Sequence, residues 1–137
     1  MDANKSLTSL VGHEVMHTLE KANSYSDAQN ALFEYAKTKG EYEDRWASIQ
    51  RRYSKLTEEQ QMQELTSDLV GDYVFGDTDF IRNLSTENPN IFKKIYNEIK
   101  YLWKMATAGS KEARELERVK REFEKIWRES SQDVNSE

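Results

Sequence analysis

Apolar residues recur at three- and four-residue intervals along nearly the whole chain, and no stretch shows the strict alternation of a half-buried strand. Six helices follow from that spacing. The first is expected from about Ser6 to Lys21, with Leu7, Leu10, Val11 and Val15 in one stripe and Ser6 as the cap. A second, Ser26 to Lys39, turns Ala28, Leu32, Phe33 and Ala36 inward and stops at Gly40, where a left-handed residue ends a helix without steric cost. A third covers Tyr42 to Ser54 through Trp46, Ile49 and Tyr53. The fourth opens on Thr57-Glu58-Glu59-Gln60, a capping box in which hydroxyl and amide satisfy free backbone N–H groups, and is expected to run to Phe75, before Gly76.

Phe80 to Leu84 can then make one helical turn. Asn88-Pro89 sets a cap residue ahead of a proline at the first helical position, where its missing N–H costs nothing. The helix behind it carries Ile91, Phe92, Ile95, Ile99, Leu102, Trp103 and Ala106, a stripe wide enough to predict the central core element. Gly109-Ser110 breaks the chain, and a last helix to about Glu129 turns Leu116, Val119, Phe123, Ile126 and Trp127 to one side. Ser130 to Glu137 is polar and is expected to be a disordered tail. The fold class expected is all-α, a compact bundle of about six helices forming one domain over residues 1–129. Trp46, Trp103 and Trp127 fall at helical spacing among apolar residues and are expected in the core or an interface.

Composition narrows the function. A chain of 137 residues buries enough surface for one core but not two. A mean hydropathy of −0.94 leaves no apolar run near the ~20 residues of a membrane span, and Met1-Asp2-Ala3-Asn4-Lys5 lacks the apolar stretch of a signal peptide. A cytoplasmic protein with no membrane partner is expected. The absence of cysteine excludes disulfides, thiol nucleophiles and cysteine-based zinc sites, so any metal must be held by His, Asp or Glu. A net charge of −5 opposes nucleic-acid binding, which depends on clustered bases releasing counterions. The last helix is locally rich in Lys and Arg, but Glu112, Glu115, Glu117, Glu122, Glu124 and Glu129 are interleaved with them, the composition of a solvated face.

The two histidines of the chain stand together, in His13-Glu14-Val15-Met16-His17. Residues four apart share a helix face, so both imidazoles can reach one ion, while Glu14 projects about 100° round. This is the HExxH arrangement, whose chemistry needs two neutral imidazoles on Zn²⁺ and a carboxylate to take a proton from water. A catalytic zinc also needs a third protein donor. Glu64-Leu65-Thr66-Ser67-Asp68 offers two carboxylates four apart beside the stripe of Met62, Leu65, Leu69 and Tyr73, and Gly71 near the same edge would permit close helix approach.

His13-Glu14-Val15-Met16-His17 followed by Glu64-Leu65-Thr66-Ser67-Asp68 resembles the gluzincin clan of zinc metallopeptidases, in which a glutamate from an ExxxD helix is the third ligand. With Val70-Gly71-Asp72-Tyr73-Val74-Phe75 and the amphipathic helices after Asn88-Pro89, most of the chain resembles the zincin-like domains of large multidomain proteins of phages and conjugative elements of Firmicutes. The resemblance implies His13, His17 and Glu64 as zinc ligands, Glu14 as general base, and Asp68 as the group that accepts the outer N–H of a ligand imidazole, His13 above all. It implies hydrolysis of a peptide or protein substrate, and a bacterial, phage or mobile-element protein that acts in the producing cell or is delivered into a recipient.

The chain also departs from that pattern. Gluzincins stabilise the oxyanion with a further His or Tyr, and here Tyr42, Tyr53 and Tyr73 are the tyrosines nearest the motifs in sequence, with no reason to choose among them. Zincins usually carry a β-sheet ahead of the HExxH helix, whereas this helix starts within the first ten residues, so a fragment of a larger parent protein is expected. The competing expectation is a non-catalytic helical module, metal-stabilised or metal-free, within such a protein.

Overall fold

The structure, a computed structural model, describes residues 3–21 and 23–135, with side chains described for 11–21 and 23–129. Seven α-helices follow one another among these residues: α1 (Ala3–Lys21), α2 (Tyr25–Thr38), α3 (Tyr42–Arg52), α4 (Glu58–Leu69), α5 (Thr78–Glu87), α6 (Pro89–Met105) and α7 (Lys111–Asn135). A π-helical segment, Val70–Val74, continues α4. No strand occurs among the described residues, and the fold is all-α. No described helix is long and apolar enough to cross a membrane.

Local chemistry sets most of these boundaries. The Thr57 hydroxyl accepts from the Gln60 amide at 3.1 Å while the Gln60 side chain accepts from the Thr57 amide at 3.0 Å, so the expected capping box forms. Gly40, at φ 72°, ends α2, and Gly109, at φ 81°, lies in the turn between α6 and α7. Pro89 opens α6 directly after Asn88.

Four boundaries differ from expectation. α1 is already helical from Ala3, so Ser6 lies inside the helix and does not cap it. The single turn expected at Phe80 is a full helix, because Asp77 caps it by accepting from the Phe80 amide at 3.2 Å and Phe80, Ile81 and Leu84 are buried on one face. The helix expected to run unbroken to Phe75 widens at Val70. The extra residue in a π turn widens the inward arc, and Val70, Tyr73, Val74 and Phe75 are all buried. Finally, α7 passes Glu129 and reaches Asn135, since neither glycine nor proline follows to stop a helix already propagating. The helical backbone of 130–135 thus replaces part of the expected disordered tail; residues 136 and 137 lie outside the described residues.

The buried side chains form one cluster, drawing Val11, Val15 and Leu19 from α1, Leu65 and Leu69 from α4, Ile95 and Ile99 from α6, and Leu116, Val119 and Phe123 from α7. Burying each such side chain contributes about 1.5–3 kcal/mol before conformational entropy is subtracted. α6 packs on α1, α5 and α7, as expected of a central element, and α1 packs in addition on α2, α4 and the π segment, which α5 also meets. Polar links fasten the π segment and the start of α5 to α2 and α3. The Tyr35 hydroxyl and the Lys39 ammonium each meet Asp77 at 3.0 Å, the Tyr73 hydroxyl donates to Glu41 at 2.6 Å, and Arg45 pairs with Asp72 at 2.6 Å.

Candidate metal centre

α1 and α4 cross at Gly12. A Cβ built there would stand 2.7 Å from the Ser67 carbonyl oxygen and 3.8 Å from the Gly71 amide nitrogen, so any other residue would force the backbones apart. Gly71 does lie at the close approach, as its place in the sequence suggested, but the contact depends on Gly12, which sequence reasoning passed over. Its signal was position: it directly precedes the first imidazole of the motif.

The crossing holds His13 against α4. Its Nε2 lies 3.6 Å from Glu64 Oε2, and its Nδ1 lies 3.2 Å from the Ser67 hydroxyl. The first distance exceeds a hydrogen bond. It approaches the roughly 3.4 Å that separates two ligands of one tetrahedral ion whose bonds are about 2.1 Å. With the ring proton on Nδ1, donated to Ser67, the Nε2 lone pair faces Glu64, which is the tautomer a metal ligand needs. Both side chains are partly exposed, at 39% for His13 and 24% for Glu64, so an ion and a water could enter.

His17 lines the same cleft, of about 170 Å³, together with Met16, Glu20, Tyr25 and Gln63. Among the described residues no three His, Asp or Glu groups are gathered closely enough to hold an ion as they stand. His13 and Glu64 are the pair already in register. His17 is exposed at the cleft and stands outside that pairing. Two imidazoles and a carboxylate suit zinc among the common divalent ions.

Two residues expected at this centre point elsewhere. Asp68 does not meet His13: its carboxylate pairs with Arg52 of α3 at 3.1 Å, and Ser67, one residue earlier on the helix, occupies Nδ1 instead. The 100° between successive helical positions turns Ser67 toward α1 and Asp68 toward α3. Glu14 does not line the cleft; its carboxyl meets Glu112 of α7, and burial, the Glu112 charge and a hydrogen bond with Glu112 push it above the usual carboxylate range.

The tyrosine at the cleft is Tyr25, not Tyr42, Tyr53 or Tyr73. Tyr42 packs its ring on Phe33, the Tyr53 carbonyl accepts from Gln61, and Tyr73 donates to Glu41. Tyr25 opens α2 beyond the α1–α2 turn, near the motif in space but after it in sequence. Its hydroxyl lies 3.5 Å from Gln29 Nε2, and burial raises its pKa above that of a free phenol.

Comparison with protein-family models, with curated proteins and with solved structures finds no match to this chain.

Proposed function

We propose that the chain is a zinc-dependent metallopeptidase domain of gluzincin type, with His13, His17 and Glu64 as the ligands. The observation that carries the reading is the pairing of His13 with Glu64, residues from two helices and two separate motifs, at the spacing of two donors to one ion. Zinc bound there would supply a Lewis acid that acidifies water and polarises a peptide carbonyl. The Ser67 hydroxyl at Nδ1 holds the His13 ring in place and can accept an Nδ1 proton, which leaves the Nε2 lone pair for the ion. The Tyr25 hydroxyl is the donor that could meet developing negative charge on a substrate carbonyl oxygen. Glu14 is the base that takes a proton from water and returns it to the leaving amine. For this it must leave Glu112 and face the cleft. A peptide or protein is the substrate, and the chain works as part of a larger protein of a phage or mobile element.

One observation favours a second reading. With Glu14 turned to Glu112, the same three ligands would make a metal-stabilised module that hydrolyses nothing. Assay of Glu14→Gln on an unfolded protein such as reduced casein separates the two. A hydrolase retains zinc and loses activity by about a hundredfold or more in this variant. A module shows no zinc-dependent cleavage in either form, and that result would refute the peptidase.

A further inference from the structure

Glu20 is a carboxylate of the zinc-motif cleft that the proposed chemistry does not use. It lies on the face of α1 that begins at His13. Seven residues carry a helix through almost two full turns, so Glu20 follows His13 on the same side, about 10 Å further along the axis. That length is about three residues of an extended peptide. Glu20 lines the same cleft as His13 and Glu64, is exposed, and makes no ion pair or side-chain hydrogen bond among the described side chains.

The end of the cleft that Glu20 occupies is acidic. No lysine or arginine lines the cleft. Burial first, and then the charges of Glu20 and Glu59, oppose ionisation of the Tyr25 hydroxyl, so carboxylates from α1 and α4 both face that phenol. Glu59 is exposed and stands one turn before Gln63, another residue of the lining. An ion held by Glu64 would neutralise that carboxylate and leave these two. At about 170 Å³ the cleft falls below the range of sites that enclose a whole small ligand, and suits a single long side chain of a larger one.

We propose that Glu20 sets the substrate class of this cleft, selecting peptides that carry arginine or lysine within about three residues of the bond at the ion. A guanidinium meets a carboxylate through two parallel hydrogen bonds, whereas an acidic residue at the same place would face like charge. The inference rests on the zinc-peptidase reading for what happens at the His13 end, but the selection by Glu20 is measurable with or without cleavage.

The test uses the full chain carrying Glu14→Gln and titrated with zinc, so that peptides bind without being cut. Fluorescence titration follows three dansylated alanine hexapeptides with one arginine, citrulline or glutamate near the middle. The arginine peptide is expected to bind about three- to tenfold tighter than its neutral citrulline twin, a modest ratio because the pair is open to water, with the glutamate peptide weakest. High salt should erase the difference. Adding Glu20→Lys should abolish or invert the order, whereas Glu87→Lys, the same change of charge at the exposed end of α5, should preserve it. Unchanged helicity by circular dichroism verifies the fold of each variant. An arginine preference that reverses with Glu20→Lys in a chain that takes up no zinc would sink the peptidase and leave the role of Glu20 standing. Equal binding of the three peptides, no binding of any, or an order that survives Glu20→Lys overturns the proposal. Loss of zinc in Glu20→Gln overturns it too, in favour of Glu20 as a ligand to the ion.

Discussion

Ser67 is the side chain through which α4 reaches the first imidazole of the motif. If its hydroxyl orients His13 for a metal, Ser67→Ala should weaken zinc binding by about 10–100-fold while leaving the helical content intact, as measured by competition with a chromophoric chelator. Asp68→Asn should leave zinc affinity unchanged, because that carboxylate serves Arg52. The reverse ranking would restore Asp68 as the partner of His13. The sequence made His13, His17 and Glu64 legible as candidate donors through the resemblance its two motifs carry, and the structure sets His13 beside Glu64 and His17 in the same cleft. The sequence could not tell Ser67 from Asp68 or find Tyr25. Those choices depend on how two helices are rotated about their axes at a crossing, and on where a turn returns the chain.

At the scale of elements, the α1–α4 crossing rests on one hydrogen atom. Gly12→Ala sets a methyl group 2.7 Å from a backbone oxygen, which cannot move aside as a side chain could. The expected cost is about 1–3 kcal/mol in chemical denaturation, with a parallel loss of zinc affinity as His13 moves off Glu64. A variant as stable as the parent would show that the helices do not touch there. Caps tell a similar story at α5. Asp77→Ala removes the cap and the acceptor of Tyr35 and Lys39, and should cost about 1–2 kcal/mol. Burial works to raise the Asp77 pKa, but Lys39, Tyr35 and the Phe80 amide outweigh it and hold the carboxyl below its ordinary value. Its contribution is therefore present above the unfolded carboxylate pKa and lost as the pH falls through the lower folded value, so the parent and variant stabilities should converge in acid. The box at Thr57, the glycine stop at Gly40 and Asn88-Pro89 were all readable, because each is a local signal. The cap at Asp77 was equally local but was eclipsed by the glycine before it. The π segment was not readable, since its widening answers to the packing of Val70, Tyr73 and Val74 rather than to their order.

Across the whole molecule, phenols tie the helices to one another: Tyr35 to the start of α5, Tyr73 to α3 and Tyr96 to α7. In each, burial comes first and a carboxylate partner second in favouring the protonated form, which raises Tyr35 and Tyr96 to about 12 and Tyr73 higher still. A folded pKa above the unfolded value near 10 stabilises fully below that pH and is lost as the pH climbs toward the folded value. Melting temperature should therefore hold through pH 9 and fall steeply between about pH 10 and 12, and Tyr96→Phe should reduce the steepness. A melting temperature flat to pH 11.5 would contradict this picture, in which tyrosines act as interhelical ties. The all-α class, the single apolar cluster and most of its members follow from period alone. The number of elements that meet α1 does not, because the mean apolarity of a helix says little about how many neighbours it will find.

The most direct test of the central claim is the zinc content of the protein purified without added chelator, measured by mass spectrometry beside its His13→Ala, His17→Ala and Glu64→Ala variants. One zinc per chain in the parent, and none in any of the three folded variants, is the predicted result. A folded parent that takes up no zinc even when titrated with it, or one whose zinc survives loss of Glu64, would contradict a centre shared by α1 and α4.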